Sequence, residues 1–188
     1  MLQAIDFQQM SHRELAKHLR LGHPIDPAML DNTEYLGVSL GLPELAVKLT
    51  WLKFKKVFCR DEEAGTLRGW NVKLEQNGLN APHEAKRKRD GQPQTFGHYG
   101  VVPATSYRVP GGARQGLMLD YGLGGNLLWD PTGRMRDPLV AVHKGSVEFL
   151  LGWTYVDLGL IGLPTPSFFT LQRDCPLSHR AHPPRKNH

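Results

Sequence analysis

Two side chains of this 188-residue chain stand where a proton-transfer group would be useful. Asp120 interrupts the apolar run from Leu117 to Tyr121, and a carboxylate carried into an apolar interior has a raised pKa and serves as a general acid or base. The competing reading is a residue that faces solvent or caps the turn at Gly122. His98 lies in FGHYG with aromatic residues on both sides, and His143 follows LVAV. Two imidazoles from neighbouring strands suit a metal or an acid–base pair, whereas a hydrogen-bonded core or rim position is the plainer reading of each. Asp120 and His98 are therefore the catalytic candidates, and no metal set is assigned. Asp130, and Asp137 before Pro138, read as turn residues.

A second group of residues is suited to holding a molecule. Tyr99, Tyr121, Trp153 and Tyr155 offer broad apolar area with one polar handle each, and Asn71 is a polar companion. The same rings could equally be core packing. Asn126 follows Gly124 and Gly125 and reads as a turn residue. That diglycine lacks the Lys-Ser/Thr continuation of a phosphate loop and the helix of a dinucleotide fingerprint, so nucleotides are excluded and no cofactor is assigned. The block Lys86 to Arg89 would attract phosphate groups. Without interleaved aromatics it reads as a solvated loop, and neither nucleic acid nor an acidic membrane surface is an expected partner.

Hydrophobic content of 40% and charged content of 22% fit one globular domain with one core. No apolar run reaches the roughly 18 to 20 residues that span a bilayer, and the start MLQAIDFQQMSHRE lacks a signal pattern, so a cytoplasmic protein without membrane insertion is expected. Cys59 and Cys175 are far apart and form no C-x-x-C pair, which sets aside thiolate metal sites and thioredoxin-like chemistry. The net charge of +5 comes largely from one cluster and one tail. It sets no dedicated polyanion partner, and oligomeric state is not encoded in any of these features.

The elements that position these residues are mostly strands. Ser11 and Glu14 form a capping box for a short helix whose narrow stripe of Leu15, Ala16 and Leu19 must lie on the rest of the protein as a lid or plug. A second helix is expected from Pro43 to Trp51. The period then changes: Phe54 to Arg60 and Thr66 to Glu75 read as a hairpin about Asp61 to Gly65. Residues 76–95 read as a long exposed loop, and Phe96 to Pro103 as the next strand. From Gly116 to Arg173 strands and turns alternate. In EFLLGWTYVDLG, Phe149, Leu151, Trp153 and Tyr155 share one face and Leu150, Thr154 and Val156 the other, so both faces are apolar and the strand is covered twice or lines a cavity. Glycines at 97, 100, 116, 122, 152 and 159 suit strong curvature. After Arg173 the proline-rich DCPLSHRAHPPRKNH reads as a disordered tail without core contacts.

Seven or eight sequential strands without βαβ alternation favour a mainly β fold: a single antiparallel barrel after short N-terminal helices, with a helical segment at 1–34, the barrel at 35–173 and the tail at 174–188. Trp51 with KFKKVF, the strand Gly69-Trp70-Asn71, the segment LDYGLGGN and a last strand SFFTLQR ending in Arg173 together resemble the lipocalin-like superfamily, and more loosely its bacterial GXWXG-type barrels. Here Gly69 and Trp70 are adjacent, where the GXWXG pattern spaces them. The resemblance implies a ligand-holding barrel, sealed at its base by Trp70 or Trp51 under Arg173. The leading expectation is a barrel enclosing a hydrophobic or aromatic small molecule. Its rivals are an isomerase, cyclase or hydrolase acting through Asp120 or His98, and an adaptor that binds polyanions through Lys86 to Arg89.

Overall fold

The computed structural model describes residues 4–41, 52–113 and 115–185. Helices α1 (Ala4–Gln8) and α2 (His12–Leu21) precede β1 (Thr33–Leu40), β2 (Lys53–Arg60), β3 (Leu67–Lys73), β4 (Thr95–Pro103), β5 (Leu117–Asp120), β6 (Met135–Ala141), β7 (Phe149–Asp157) and β8 (Gly162–Pro176). Each strand pairs antiparallel with the next, and β8 returns to β1 from Thr33↔Pro176 to Leu40↔Phe168, so the ladder closes into a barrel. Closure leaves no edge strand among the described residues. The mainly β antiparallel barrel expected from the sequence is the fold observed, although its strands run from Thr33 to Pro176. The helix expected at 43–51 lies outside the described residues.

Period-two alternation divides the core in two. One set, including Tyr35, Phe58, Tyr99, Leu119, Leu139 and Leu171, fills the barrel. The other, including Met118, Val140, Leu151, Trp153 and Phe168, faces outward and is covered by Phe7, Leu15 and Leu19 from α1 and α2. The Ser11 capping box forms as expected and holds the start of α2, whose buried Leu15 and Leu19 cover the outer wall. The helix is therefore a flank cover. Among the described residues, no helix is long and apolar enough to cross a membrane.

The loop expected at 76–95 is exposed or half-exposed throughout but braced by backbone pairing, and the expectation for the tail is corrected. Residues 76–94 fold back as a tethered ribbon: Glu75 and Lys86 amides donate to Glu84 and Lys73 carbonyls, and Lys88 and Gln94 amides continue the pairing to Gln92 and Lys86. The tether is Lys53, wholly buried, whose Nζ donates to Asn77 Oδ1 at 2.5 Å and to the carbonyls of Gly78, Ala81 and Pro82 at 2.9, 3.2 and 3.1 Å. The chain beyond Arg173 also makes core contacts. Leu177 N donates to Asn32 O, Ser178 donates twice to Glu34 Oε1, and Ala181 is buried with Val57, Cys59, Trp70 and Val72. Small apolar side chains among the prolines cover an outer wall that Trp70 would otherwise leave in water.

Candidate functional site

Strand β2 carries the residue around which the lumen is built. Phe54, Lys56 and Phe58 alternate onto its inner face, and Lys56 is 2% exposed. Its Nζ donates to Asn71 Oδ1 on β3 at 3.0 Å, to the Tyr121 hydroxyl at 2.7 Å and to Asp137 Oδ2 on β6 at 3.0 Å. Strands β2 and β6 stand on opposite walls of an eight-stranded barrel, so this ion pair spans the lumen. Tyr121 also donates to Asp137 Oδ2 at 2.8 Å, and Thr154 Oγ1 on β7 donates to the other carboxylate oxygen at 2.8 Å. Asn71 Nδ2 is spent on Gly97 O at 3.0 Å. Every polar atom of the cluster therefore has a partner.

Aromatic rings surround the ammonium. Nζ of Lys56 lies 5.0 Å from the ring centres of Tyr99 and Phe169, 5.2 Å from Tyr121 and 5.7 Å from Phe54. The rings pack on one another, with Tyr99 and Tyr121 at 5.4 Å and Phe54 and Phe169 at 5.9 Å in edge-to-face contact. They fit because glycine faces them: a Cβ on Gly37 would lie 2.4 Å from the Phe54 ring, and one on Gly152 would lie 2.2 Å from Phe169. At this layer the lumen is filled by side chains, as small barrels of about eight strands allow.

Burial lowers the pKa of Lys56, and the Asp137 charge works against that shift. Tyr99 and Tyr121 are raised well above the ordinary phenol value by burial first and by Asp137 next. An ammonium or amine, a carboxylate and a phenol thus meet within hydrogen-bonding distance in an apolar setting. Such a set can orient a polar group or exchange a proton.

The residues singled out from sequence separate into two groups. Asn71, Tyr99 and Tyr121 converge on Lys56, with the Tyr99 hydroxyl donating to Val57 O at 3.0 Å. Trp153 and Tyr155 face away: Trp153 stacks on Phe168 at 5.8 Å and donates Nε1–H to Thr165 O, and both belong to the outer cluster under α2. Because they share parity with Phe149 and Leu151, the whole row lies outside once the helix covers it.

Asp120 is outward too. It accepts from the Gly122 amide at 2.7 Å and pairs with Arg136 at 3.1 Å, so the turn-capping role is the one it fills. His98 packs against Trp70 at 6.1 Å on the outer wall, and burial pushes its pKa down to about 4. Its Nδ1 has no partner, while its backbone is clamped by Asn126, which is buried and accepts from His98 N and donates to His98 O. Asp137, expected in a turn, is 2% exposed and lies within β6. Asp130 does cap a turn, accepting from the Thr132 amide at 2.9 Å.

Trp70 faces outward, with the Arg68 guanidinium 5.3 Å from its ring, and Arg173 pairs with Glu148 at 3.3 Å. The base seal implied by the resemblance is therefore not made by Trp70, and Trp51 lies outside the described residues.

Among the described residues, one further cluster that could hold a cation is occupied, and two crevices are peripheral. Glu34, Asp174 and Cys175 stand close enough to share a cation, but the Lys55 ammonium sits on both carboxylates at 3.0 and 2.8 Å. Two crevices of about 160 and 220 Å3 flank α2 outside the barrel wall, the larger lined by Leu19, Pro110, Trp153 and Phe168.

Lys56 lies in the strand expected from Phe54 to Arg60 but was not singled out there as a site residue. Its signal was parity, since a base between Phe54 and Phe58 at period two shares their buried face. Comparison with protein families, with curated proteins and with solved structures finds no match to this chain.

Proposed function

We propose that this protein binds an apolar or aromatic small molecule within its barrel, with the Lys56 cluster as the polar anchor. The observation that carries this reading is the Lys56–Asp137 pair across a lumen otherwise lined by aromatic and aliphatic side chains. An apolar filling of the same volume is often as stable as a buried ion pair or more so, so stability alone gives little reason for these charges. Ligand sites, in contrast, are mainly apolar with a few placed polar groups that fix orientation. The resemblance to lipocalin-like barrels supports the same reading. A ligand would take the space now held by Phe54 and Phe169, whose rings must turn away from Gly37 and Gly152. An acidic or carbonyl head group would then meet the Lys56 ammonium, Asn71 and Tyr121.

The test is calorimetric titration with a panel of aromatic and medium-chain carboxylic acids. Saturable binding is expected, abolished in Gly152→Leu and weakened at least ~10-fold in Lys56→Met, the loss of one charged hydrogen bond. Absence of saturable binding across the panel, or binding indifferent to both substitutions in folded protein, overturns it.

The lowered pKa of Lys56 beside Asp137 favours a second reading, an enzyme of the same lumen, with proton transfer at Lys56 in place of Asp120 or His98. Turnover of a bound panel member that vanishes in Lys56→Met would establish it. Turnover unchanged in that variant would exclude it.

A further inference from the structure

In an antiparallel barrel whose strands follow one another around the wall, the connections after β1, β3, β5 and β7 emerge at one end and those after β2, β4 and β6 at the other. The first end is chemically unusual. The β5–β6 connection exposes Leu128 (90%) and Trp129 (80%), and the β7–β8 turn exposes Leu160 (91%) and Ile161 (64%). Both lie on short backbone-braced turns, with Asp130 N donating to Leu127 O and Leu158 N to Ile161 O. Large apolar side chains held this far out on ordered turns find no partner among the described residues.

The third connection from the same end is the ribbon of residues 76–94, and its outer turn carries the basic block. The Gly91 amide closes that turn on Lys88 O, and Arg87, Lys88 and Arg89 are exposed. Lys86 leans toward Glu75 at 3.7 Å, and Arg87 Nη1 donates to Gly91 O, so part of the block is braced and its charge still faces water. Glu84 and Asp90 are the acidic residues on the ribbon, against four bases. The ribbon and the β5–β6 connection adjoin, because the ribbon runs directly into β4, where Asn126 of the β5–β6 connection accepts from His98 N at 2.9 Å and donates to His98 O at 2.7 Å.

We infer that this end of the barrel docks on an anionic lipid surface, with Leu128, Trp129, Leu160 and Ile161 entering the interface and Lys86 to Arg89 meeting lipid phosphates or carboxylates. The combination is what selects the partner. Aliphatic tips and an exposed tryptophan suit the boundary between head groups and acyl chains, while flanking bases suit its negative surface potential. A nucleic acid would use the bases and leave the aliphatic tips in water. A second copy of the chain would use the tips and bring two basic ribbons together.

This inference goes beyond ligand binding in the lumen and is tested without any ligand. Vesicles of phosphatidylcholine with 30% phosphatidylserine are compared with pure phosphatidylcholine by flotation, and Trp129 insertion is read by quenching with brominated lipid. Binding at least ~10-fold tighter on the anionic vesicles is expected, weakening as salt is raised. Replacing Lys86 to Arg89 by serines should remove that preference. Leu128→Ser with Leu160→Ser should abolish flotation, and Trp129→Phe should abolish the quenching while flotation persists. Lys86 is half-buried and the other positions are exposed, and an unchanged circular-dichroism spectrum shows that each variant is folded.

Equal binding to both vesicle types, or none to either, overturns the inference. So does binding of RNA lost only with the bases. Lipid-independent dimerisation in sedimentation that disappears with Leu128→Ser and Leu160→Ser overturns it in favour of self-association.

Discussion

Lys53 and Lys56 stand three residues apart on β2, both buried, on opposite faces of the same strand. Outside the wall, Lys53 is solvated by neutral oxygens, three backbone carbonyls and the Asn77 side chain, and so folds the 76–82 turn around itself. Inside, Lys56 is held by a carboxylate, an amide and a phenol among four rings. His98, on the outer wall of β4, shows a third solution: with Nδ1 unpartnered, burial keeps the imidazole neutral. A buried base can thus be given oxygens, given a counter-ion or denied its proton. Only the second arrangement places opposite charges at the centre of the barrel, and that is why the functional reading rests on Lys56.

The contrast is broken most severely at the ion pair itself. Lys56→Met strands Asp137 in the lumen and should cost about 3 to 5 kcal/mol in denaturant unfolding, whereas Lys56→Met with Asp137→Leu should recover most of that loss. If the double variant is no better than the single one, the lumen does not treat the two charges as a unit.

The next effect is pH-dependent. In the unfolded chain His98 titrates near the ordinary imidazole value of ~6.5, and in the fold burial pushes it down to about 4. Between those values the unfolded chain binds a proton that the folded chain does not. Stability is therefore full above about pH 6.5 and falls as acid is added toward pH 4, by about 3 kcal/mol in all. Unfolding midpoints measured across that window should flatten in His98→Gln.

Lys53→Met sharpens the comparison from the outer side. It should cost about 2 kcal/mol through the hydrogen bonds lost, and hydrogen exchange should quicken at residues 76–82 while the lumen keeps its protection. The smallest effect belongs to the flank cover, where Ser11→Ala removes the cap of α2 and should cost about 1 kcal/mol, seen as a small drop in melting temperature.

The barrel was legible because strands covered on both sides still alternate. Phe149 to Val156 separates cleanly into two apolar rows, and the Phe54–Arg60 hairpin with β3 is marked by its change of period and by Asp61, which accepts from the amides of Glu63 and Ala64. Alternation does not say which row faces in. In the fold α2 covers the outer row that holds Trp153 and Tyr155, while Tyr99 and Tyr121 lie in the inner one. Asp137 was hidden by Pro138, which signals a turn in sequence yet sits opposite Met118 within the sheet. Asp120 was overvalued because an acidic residue beside apolar neighbours looks buried in chemistry as well as in space. Its oxygens are committed to Gly122, Arg136 and Tyr107.

The seam between β1 and β8 bears on how the protein is made. Thr33 is paired with Pro176, so during synthesis β1 must wait until the chain through β8 is made before its second edge is satisfied. At a synthesis rate of roughly 5 to 20 residues per second that is an interval of many seconds. During it, Tyr35 and Leu36 offer a sticky template to any neighbouring nascent chain. Yield in the cell is therefore expected to depend on chaperone supply more than on the stability of the finished barrel.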